Sequence, residues 1–599
     1  MTKNRLYHIA LPLVGLFILA ASCGKVDPTP TPAPKPTPTP TPSPDPGLVT
    51  RKSNELNSLT ETTINGTAIS STSDIAGLAF EPMSGKPIAG LPVTDGYSYT
   101  VTDANGVYQM KRNSLARKVY YCTPAEYEIN LDSRHIPYFY SSGTMESGKK
   151  YRVDFALTPL DAPETEVNFI MIGDPQCSNA SQATRYASET MVDIRNLVNN
   201  GSYKNVYAVT LGDIIHDSSD VWPNMVQSMS NVKVGDRYIP FFQCMGNHDH
   251  DARLFTDGDT NEMKRYKAAK NFVDNFGPND YSFDRGNVHV VILDDVMVNG
   301  AKDSSKSNKR TCSYGTGLFE LQYKWLQQDI AQVKNKADKI IFICMHIPIR
   351  GTTSNHMADI MTLCKQFKDA HIMIGHTHYS QNYPHASYKC AGGQSIYEHI
   401  HGSACGSWWS GKLNCGGQPN GYNVYTVKNG RMEDWVTKST GKDLTYQMRV
   451  YDGNQTYTGT KGYVFNWYNA SNKVGSYSFV VKGYPSTKGC FVAEVFDDDS
   501  DNTTVEFWQE GKKVGTFTRI PNASCANVAA SSYYYNELKK TSDSYCSNTA
   551  SHYWFYRPSS TSPSSTRSWE VRAIRKIPTS GISHTFTSNH LVIDYSEYK

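Results

Sequence analysis

Apolar runs of four to seven residues recur through the middle of the chain, at 167–172, 206–211, 239–245, 289–293, 340–345 and 371–374, each followed by glycine, aspartate or histidine. Continuous runs of this length predict strands buried on both faces. Between them, Ala187, Met191, Ile194 and Val198, and again Phe319, Tyr323, Leu326 and Ile330, repeat at helical spacing and present one apolar stripe each. A further helix over 262–276 stops at Gly277-Pro278. Strands alternating with amphipathic helices predict a layered α/β domain around a buried sheet.

The pattern differs on either side. From 74 to 157 short strands are punctuated by Ser-Gly and Asn-Gly, which predicts a small β-sandwich, with Asp103-Ala104-Asn105-Gly106 as a hairpin turn. Beyond about 430 helical periodicity fades and strand-like stretches return, among them "SYSFVVKGY", "CFVAEVFDDD", "TTVEFWQEGKKVGTF" and "SWEVRAIRK". The run Asp497-Asp498-Asp499-Ser500-Asp501 reads as a solvated loop. The predicted order is a signal segment (1–22), a tether (23–47), an N-terminal β-sandwich (70–160), the α/β domain (164–430) and a C-terminal β-rich domain (431–599).

A chain of 599 residues exceeds a single core, and a net charge of +3 lacks the basic excess of a nucleic-acid binder, so no nucleic-acid partner is expected. At the N-terminus Lys3 and Arg5 precede an apolar stretch and then Leu19-Ala20-Ala21-Ser22-Cys23, a secretory signal too short to span a membrane. The segment resembles a bacterial lipoprotein lipobox, although Ala20 stands where leucine is preferred; the alternative is a plain cleavable signal. The resemblance implies lipid on Cys23 and an extracytoplasmic protein facing the periplasm or the cell surface. The Pro-Thr repeat that follows is a semi-rigid spacer. In such a compartment disulfides persist, and Cys405 with Cys415, and Cys525 with Cys546, are close enough in sequence to pair, whereas Cys244 and Cys344 sit in strand-like runs as small hydrophobes.

The chemistry gathers at the C-terminal ends of the apolar runs, where open α/β sheets bind ligands. There stand Asp174-Pro175-Gln176, Gly212-Asp213, Gly246-Asn247-His248-Asp249, His346 and Gly375-His376-Thr377-His378. Each alone is weak, but together they offer carboxylate, amide and imidazole donors that suit divalent metals, and the glycines permit sharp turns at the sheet edge.

This ordered set resembles that of the calcineurin-like metallophosphoesterases, Asp-x-His, Gly-Asp, Gly-Asn-His, a lone His and Gly-His-x-His, over residues 168–380. The segments "YSFDRGNVHVVILDD" and "YEHIHGSACGSWWSG" look like a bacterial subgroup with extra N- and C-terminal β-domains. The resemblance implies a four-layer α/β/β/α core and two divalent ions, drawn from Mn, Zn, Fe or Ni. Asp174, Gln176 and His378 would complete one site, Asn247, His346 and His376 the other, with Asp213 bridging. A hydroxide activated by the metals would attack a phosphomonoester or phosphodiester, and His248 would protonate the leaving oxygen. In many relatives an aspartate three residues after the bridging one orients that histidine; here His216 is third and Asp217 fourth, so the spacing departs from the family's and Asp217 is the catalytic partner expected for His248. Gln176 replaces the usual histidine, which implies either a retuned, weaker site or a residue that does not coordinate. Trp408 and Trp409, with Glu398, His399 and His401, either contact substrate or, for the tryptophans, pack against the C-terminal domain. The alternative function is a non-catalytic surface lipoprotein with a degenerate metal site, binding glycan or protein through its β-domains.

Overall fold

In the computed structural model two sheets face each other. The structure describes residues 53–598 apart from 202, 303–310, 459–463, 468–471, 475–476, 480–487, 520–527, 542–544, 546–551 and 560–561. The signal segment, the tether, Cys23, the Cys525 and Cys546 pairing and the end of "SYSFVVKGY" lie outside the described residues.

The first sheet runs in the order Phe241–Cys244, Val206–Leu211, Glu166–Ile172, Gly421–Lys428 and Arg431–Ser439; the first three strands are parallel and the last two antiparallel. In the second, Val288–Ile292, Ile340–Cys344, Asp369–Ile374 and Ser395–Ile400 are parallel, with Tyr281–Arg285 and Gln381–Lys389 antiparallel at its edges. Phe169, Tyr207, Val209, Phe242, Phe342 and Tyr425 fill the space between the sheets, with Phe169 and Phe342 edge to face at 5.2 Å. Helices Ala180–Ser188, Thr190–Asn200 and Trp222–Met229 pack on Ile170, Ile172 and Ala208 of the first sheet. Helices Glu320–Gln332 and Met357–Cys364 bury Leu326, Ile330, Ile360 and Met361 in the cluster that holds Ile341 and Ile343 of the second. Every central strand is therefore covered twice, which is why the apolar runs were uninterrupted. Cys244 and Cys344 are buried thiols within them.

Two predicted helices are broken. The stripe from Ala187 to Val198 crosses a junction at Glu189, where the first helix ends and the second begins. The 262–276 helix divides at Ala269, and the second half turns Phe272 and Phe276 onto Trp222 at 6.3 and 5.7 Å.

The N-terminal region pairs small sheets around Ile75, Val93, Tyr108, Tyr121 and Phe155. Asp103 Oδ1 accepts from the backbone of Asn105 and Val107, so the turn uses that carboxylate oxygen internally. The C-terminal region has two four-stranded sheets around Val450, Phe491, Val505, Phe507 and Val571. Its aspartate run is solvated only at its end: Asp497, Asp498 and Asp499 are 2%, 4% and 0% exposed, while Ser500 and Asp501 face solvent. Asp497 pairs with Arg575 and accepts from Asn382 of the α/β domain at 2.7 Å, while Asp498 pairs with Arg519 at 2.6 Å. Buried carboxylates persist only when paired in this way, and here they tie the C-terminal region to the core.

Candidate metal centre

All five polar clusters meet at one end of the facing sheets. Asp174 and Gln176 follow strand Glu166–Ile172, Asp213 follows Val206–Leu211, and Asn247 and His248 open a single 3₁₀ turn after Phe241–Cys244. His346 follows Ile340–Cys344, and His376 and His378 follow Asp369–Ile374. The close approach demands glycine: a Cβ on Gly246 would lie 2.2 Å from the Asp213 nitrogen, and one on Gly212, at φ +86°, 2.5 Å from His346 Nδ1.

His346 is the hub. Its Nδ1 contacts the Leu211 carbonyl at 2.8 Å, which orients Nε2 toward Asp213 Oδ2, Asn247 Oδ1 and His376 Nδ1, each 3.2 Å away. Asp213 Oδ2 is also 3.2 Å from Gln176 Nε2, so one carboxylate faces both groups of candidate ligands. On the second side Asp174 Oδ2 accepts from the His376 backbone at 2.8 Å, and His378 Nε2 lies 3.5 Å from Asp174 Oδ1. That Oδ1 is buried and makes no hydrogen bond. A buried carboxylate oxygen without a donor, beside converging imidazole nitrogens, fits a cation. Electrostatics agree. Burial opposes ionisation of Asp213, but His346 and His248 outweigh it and hold its carboxyl well below the usual range. Burial likewise opposes protonation of His346, yet Asp213 pushes it up to about 10; burial and the protonated His346 push His376 down to about 4. The cluster thus draws positive charge toward Asp213.

The carboxylate beside the His248 imidazole is that of Asp217. His248 Nδ1 lies 3.0 Å from Asp217 Oδ1, an ion-pair contact that is not aligned as a hydrogen bond, whereas His216 stacks on the imidazole face at 4.3 Å and 17°. The backbone of His248 donates to Asp213 Oδ1 at 2.8 Å, so the candidate proton donor and the candidate shared carboxylate are placed together. Burial works against the His248 proton, but Asp213 and Asp217 raise its pKa above the ordinary histidine value.

Sequence reasoning gave Asp249 and Asp295 no role. Asp249 accepts from the backbones of Gly246, Ile214 and Ile215, stapling two ligand loops; Asp295 accepts from His346 and Ile347 at 3.0 Å each. Their position just past strand ends was the available signal. The tryptophans separate. Trp409 is buried, donates from Nε1 to Pro175 O at 2.8 Å and lies under the Arg185 guanidinium, so it braces the Asp174 loop from behind. Trp408 is half-buried over His378, 5.2 Å between rings, with Tyr545 edge-on at 5.7 Å. Glu398, His399 and His401 do not line the cleft. They are buried on strand Ser395–Ile400, where Glu398 accepts from Ile349 and pairs with His385, His399 contacts Asn382, and His401 contacts Tyr425. Cys405 is a free thiol 3.9 Å from both Gln176 Oε1 and His378 Nδ1, so the pairing with Cys415 is not formed.

Two facing sheets with carboxylate, amide and imidazole groups converging at their rim define a metal-dependent phosphoesterase class, and comparison with known families agrees. Residues 167–380 match the calcineurin-like phosphoesterase family, 76–160 its N-terminal domain and 398–578 its C-terminal domain. The chain belongs to the calcineurin-like phosphoesterases and is a phosphoric ester hydrolase. It is also similar to tartrate-resistant acid phosphatase type 5 of Mus musculus, 23% identical over 240 residues that cover 37% of this chain and 69% of that protein. Membership in the family implies divalent metal ions and a phosphate-ester substrate.

Proposed function

We propose that the chain is a dinuclear phosphohydrolase acting on phosphomonoesters or phosphodiesters outside the cytoplasm, anchored by lipid on Cys23. The observation that supports it best is the placement of Asp213 Oδ2, 3.2 Å from His346 Nε2 on one side and from Gln176 Nε2 on the other. Divalent ions held by Asp174, Gln176, Asp213 and His378, and by Asp213, Asn247, His346 and His376, would supply an activated water as nucleophile and neutralise the phosphoryl oxygens. Against the effect of burial, Asp213 and Asp217 raise the His248 pKa above the ordinary histidine value, which suits it to give a proton to the leaving oxygen. Asp217 faces Nδ1 and leaves Nε2 as the donating nitrogen. Trp408, half-exposed beside His378, contributes the wall on that side. The anchor rests on the charged, apolar and Cys23 order of the N-terminus and on the Pro-Thr tether.

The test is metal analysis of the purified chain with an aryl phosphate and a bis-aryl phosphodiester, each assayed with Mn, Zn, Fe and Ni. Hydrolysis of at least one ester is expected, with His248→Ala retaining metal but losing about 10²–10⁴-fold in kcat. Failure on both esters with all four metals removes the proposal. For the anchor, Cys23→Ser should move the protein from the detergent phase to the aqueous phase; a variant that stays with detergent refutes it.

A further inference from the structure

We propose that Tyr314 is a catalytic residue whose phenol donates a hydrogen bond to a non-bridging phosphoryl oxygen of the substrate; this rests on the hydrolase reading above. Its place beside the candidate ligands carries the inference. Tyr314 stands at the centre of strand Cys312–Thr316, which pairs antiparallel with Val296–Ala301. Val298 lies directly opposite it and Cys312 two residues before it, so these side chains share one face of the strand pair. Val298 and Cys312 are buried against Ala252, Phe255 and Ile347, and that face therefore looks into the protein. Tyr314 packs on the same cluster yet stays only half-buried, because its ring reaches past the apolar patch. There it meets the His376 imidazole edge-on, with 6.4 Å between ring centres and 81° between planes. The strand also lies against the turn Asn247–Asp249, which carries a candidate ligand and the candidate proton donor.

Packing alone would be served as well by phenylalanine. The Tyr314 hydroxyl takes no hydrogen-bond partner among the described residues, and burial, followed by the charges of Asp213, Asp295 and Asp217, pushes its pKa up to about 12. A phenol ionises near 10 even in water, so at neutral pH this hydroxyl keeps its proton and offers it to an anion. Phosphoryl transfer spreads negative charge over three equatorial oxygens. Cations held by the candidate ligands serve the oxygens turned toward them. An oxygen turned toward the hairpin is left for a donor on the protein. Tyr314 sits on a paired strand with its ring wedged between an apolar cluster and His376, so the donor needs no reorganisation as the charge develops. The proton stays on the phenol throughout, and no bond of Tyr314 is made or broken.

A donor to a phosphoryl oxygen acts whatever the leaving group is, whereas a donor to the leaving oxygen matters most for a strongly basic one. The test uses the full chain loaded with metal and two esters of the class that the wild type hydrolyses, one releasing p-nitrophenol and the other n-butanol. Tyr314→Phe keeps the ring and removes the hydroxyl. It is expected to lower kcat/KM by about ten- to a hundredfold, and by the same factor on both esters. Metal content should stay at the wild-type value, and inhibition by orthovanadate, which adopts the five-coordinate shape of the transferring group, should weaken by a similar factor. Rates are scaled to bound metal, so incomplete folding of the variant does not enter. Wild-type rates in Tyr314→Phe, a loss confined to the butyl ester, a loss of metal, or unchanged inhibition by vanadate each overturns the inference while leaving wild-type hydrolysis in place. Absence of wild-type turnover on aryl monoester and diester alike overturns the hydrolase reading and this inference with it.

Discussion

Asp174, Gln176, Asp213, Asp217, His376 and His378 all have left-handed backbones, with φ between 40° and 71°. Such conformations cost roughly 1–3 kcal/mol each and persist only where surrounding contacts over-determine them. Aspartate and histidine tolerate them better than most residues, which is a backbone reason for finding them here, besides the proposed coordination. Gln176 is the outlier in the set. Its nitrogen faces Asp213 in the structure, and a half-turn of the amide would present Oε1 instead. An amide oxygen is a poorer ligand than imidazole for first-row metals, so Gln176→His should tighten one metal of two, read as metal retained after exhaustive dialysis. Unchanged retention would mean that Gln176 does not coordinate.

Elements are held by buried polar contacts as much as by apolar ones. Strand Val288–Ile292 carries His289, whose Nδ1 lies 2.6 Å from Asp284 and Nε2 3.0 Å from Asp329 of helix Glu320–Gln332. Lys339 pairs with Asp284 at 2.7 Å, and Tyr99 of the N-terminal sandwich donates to Asp329 at 2.7 Å. Burial opposes the His289 proton, but Asp329 and Asp284 outweigh it and push the pKa up to about 9. A folded value raised above the ordinary 6.5 stabilises the folded chain fully below that pH, and the stabilisation is lost as pH rises through about 9. The contribution is on the order of 3 kcal/mol. Urea midpoints should fall between pH 7 and 10 more steeply for wild type than for His289→Gln; parallel slopes would contradict this.

At the scale of the whole molecule, the described residues between 53 and 598 form one compact unit, and the C-terminal sheets support the rim of the candidate metal centre. Tyr534 bonds the Leu413 carbonyl within 2.5 Å, Tyr553 the Gly416 carbonyl at 2.8 Å and Arg449 the Gly417 carbonyl at 2.8 Å, so the loop beyond Trp408 is gripped along its length. The second grip is Asp497 on Arg575 and Asn382. Arg575 is almost wholly buried, and Asp497→Ala leaves it with Asp434 3.9 Å away. Breaking a buried pair on one side costs about 3–5 kcal/mol. Calorimetry on the metal-free chain should show that loss; a change below about 1 kcal/mol would place the grip elsewhere.

The central strands and the candidate metal ligands were legible in the sequence because both depend on short-range signals. Burial on two faces leaves an unbroken apolar run, and a ligand loop at a sheet edge leaves glycine beside aspartate, asparagine or histidine. The arrangement of Asp217 and His216 around His248, Trp409 inward and Trp408 at the rim, Glu398, His399 and His401 as buried braces, and three aspartates withdrawn from water were decided only in three dimensions. Each depends on a contact between residues far apart in the chain: Asp217 with Thr311, Trp409 with Pro175, Glu398 with Ile349, Asp497 with Arg575. Residue type and periodicity say which groups want a partner; the packing of the two sheets and their flanking domains decides which partner is within reach.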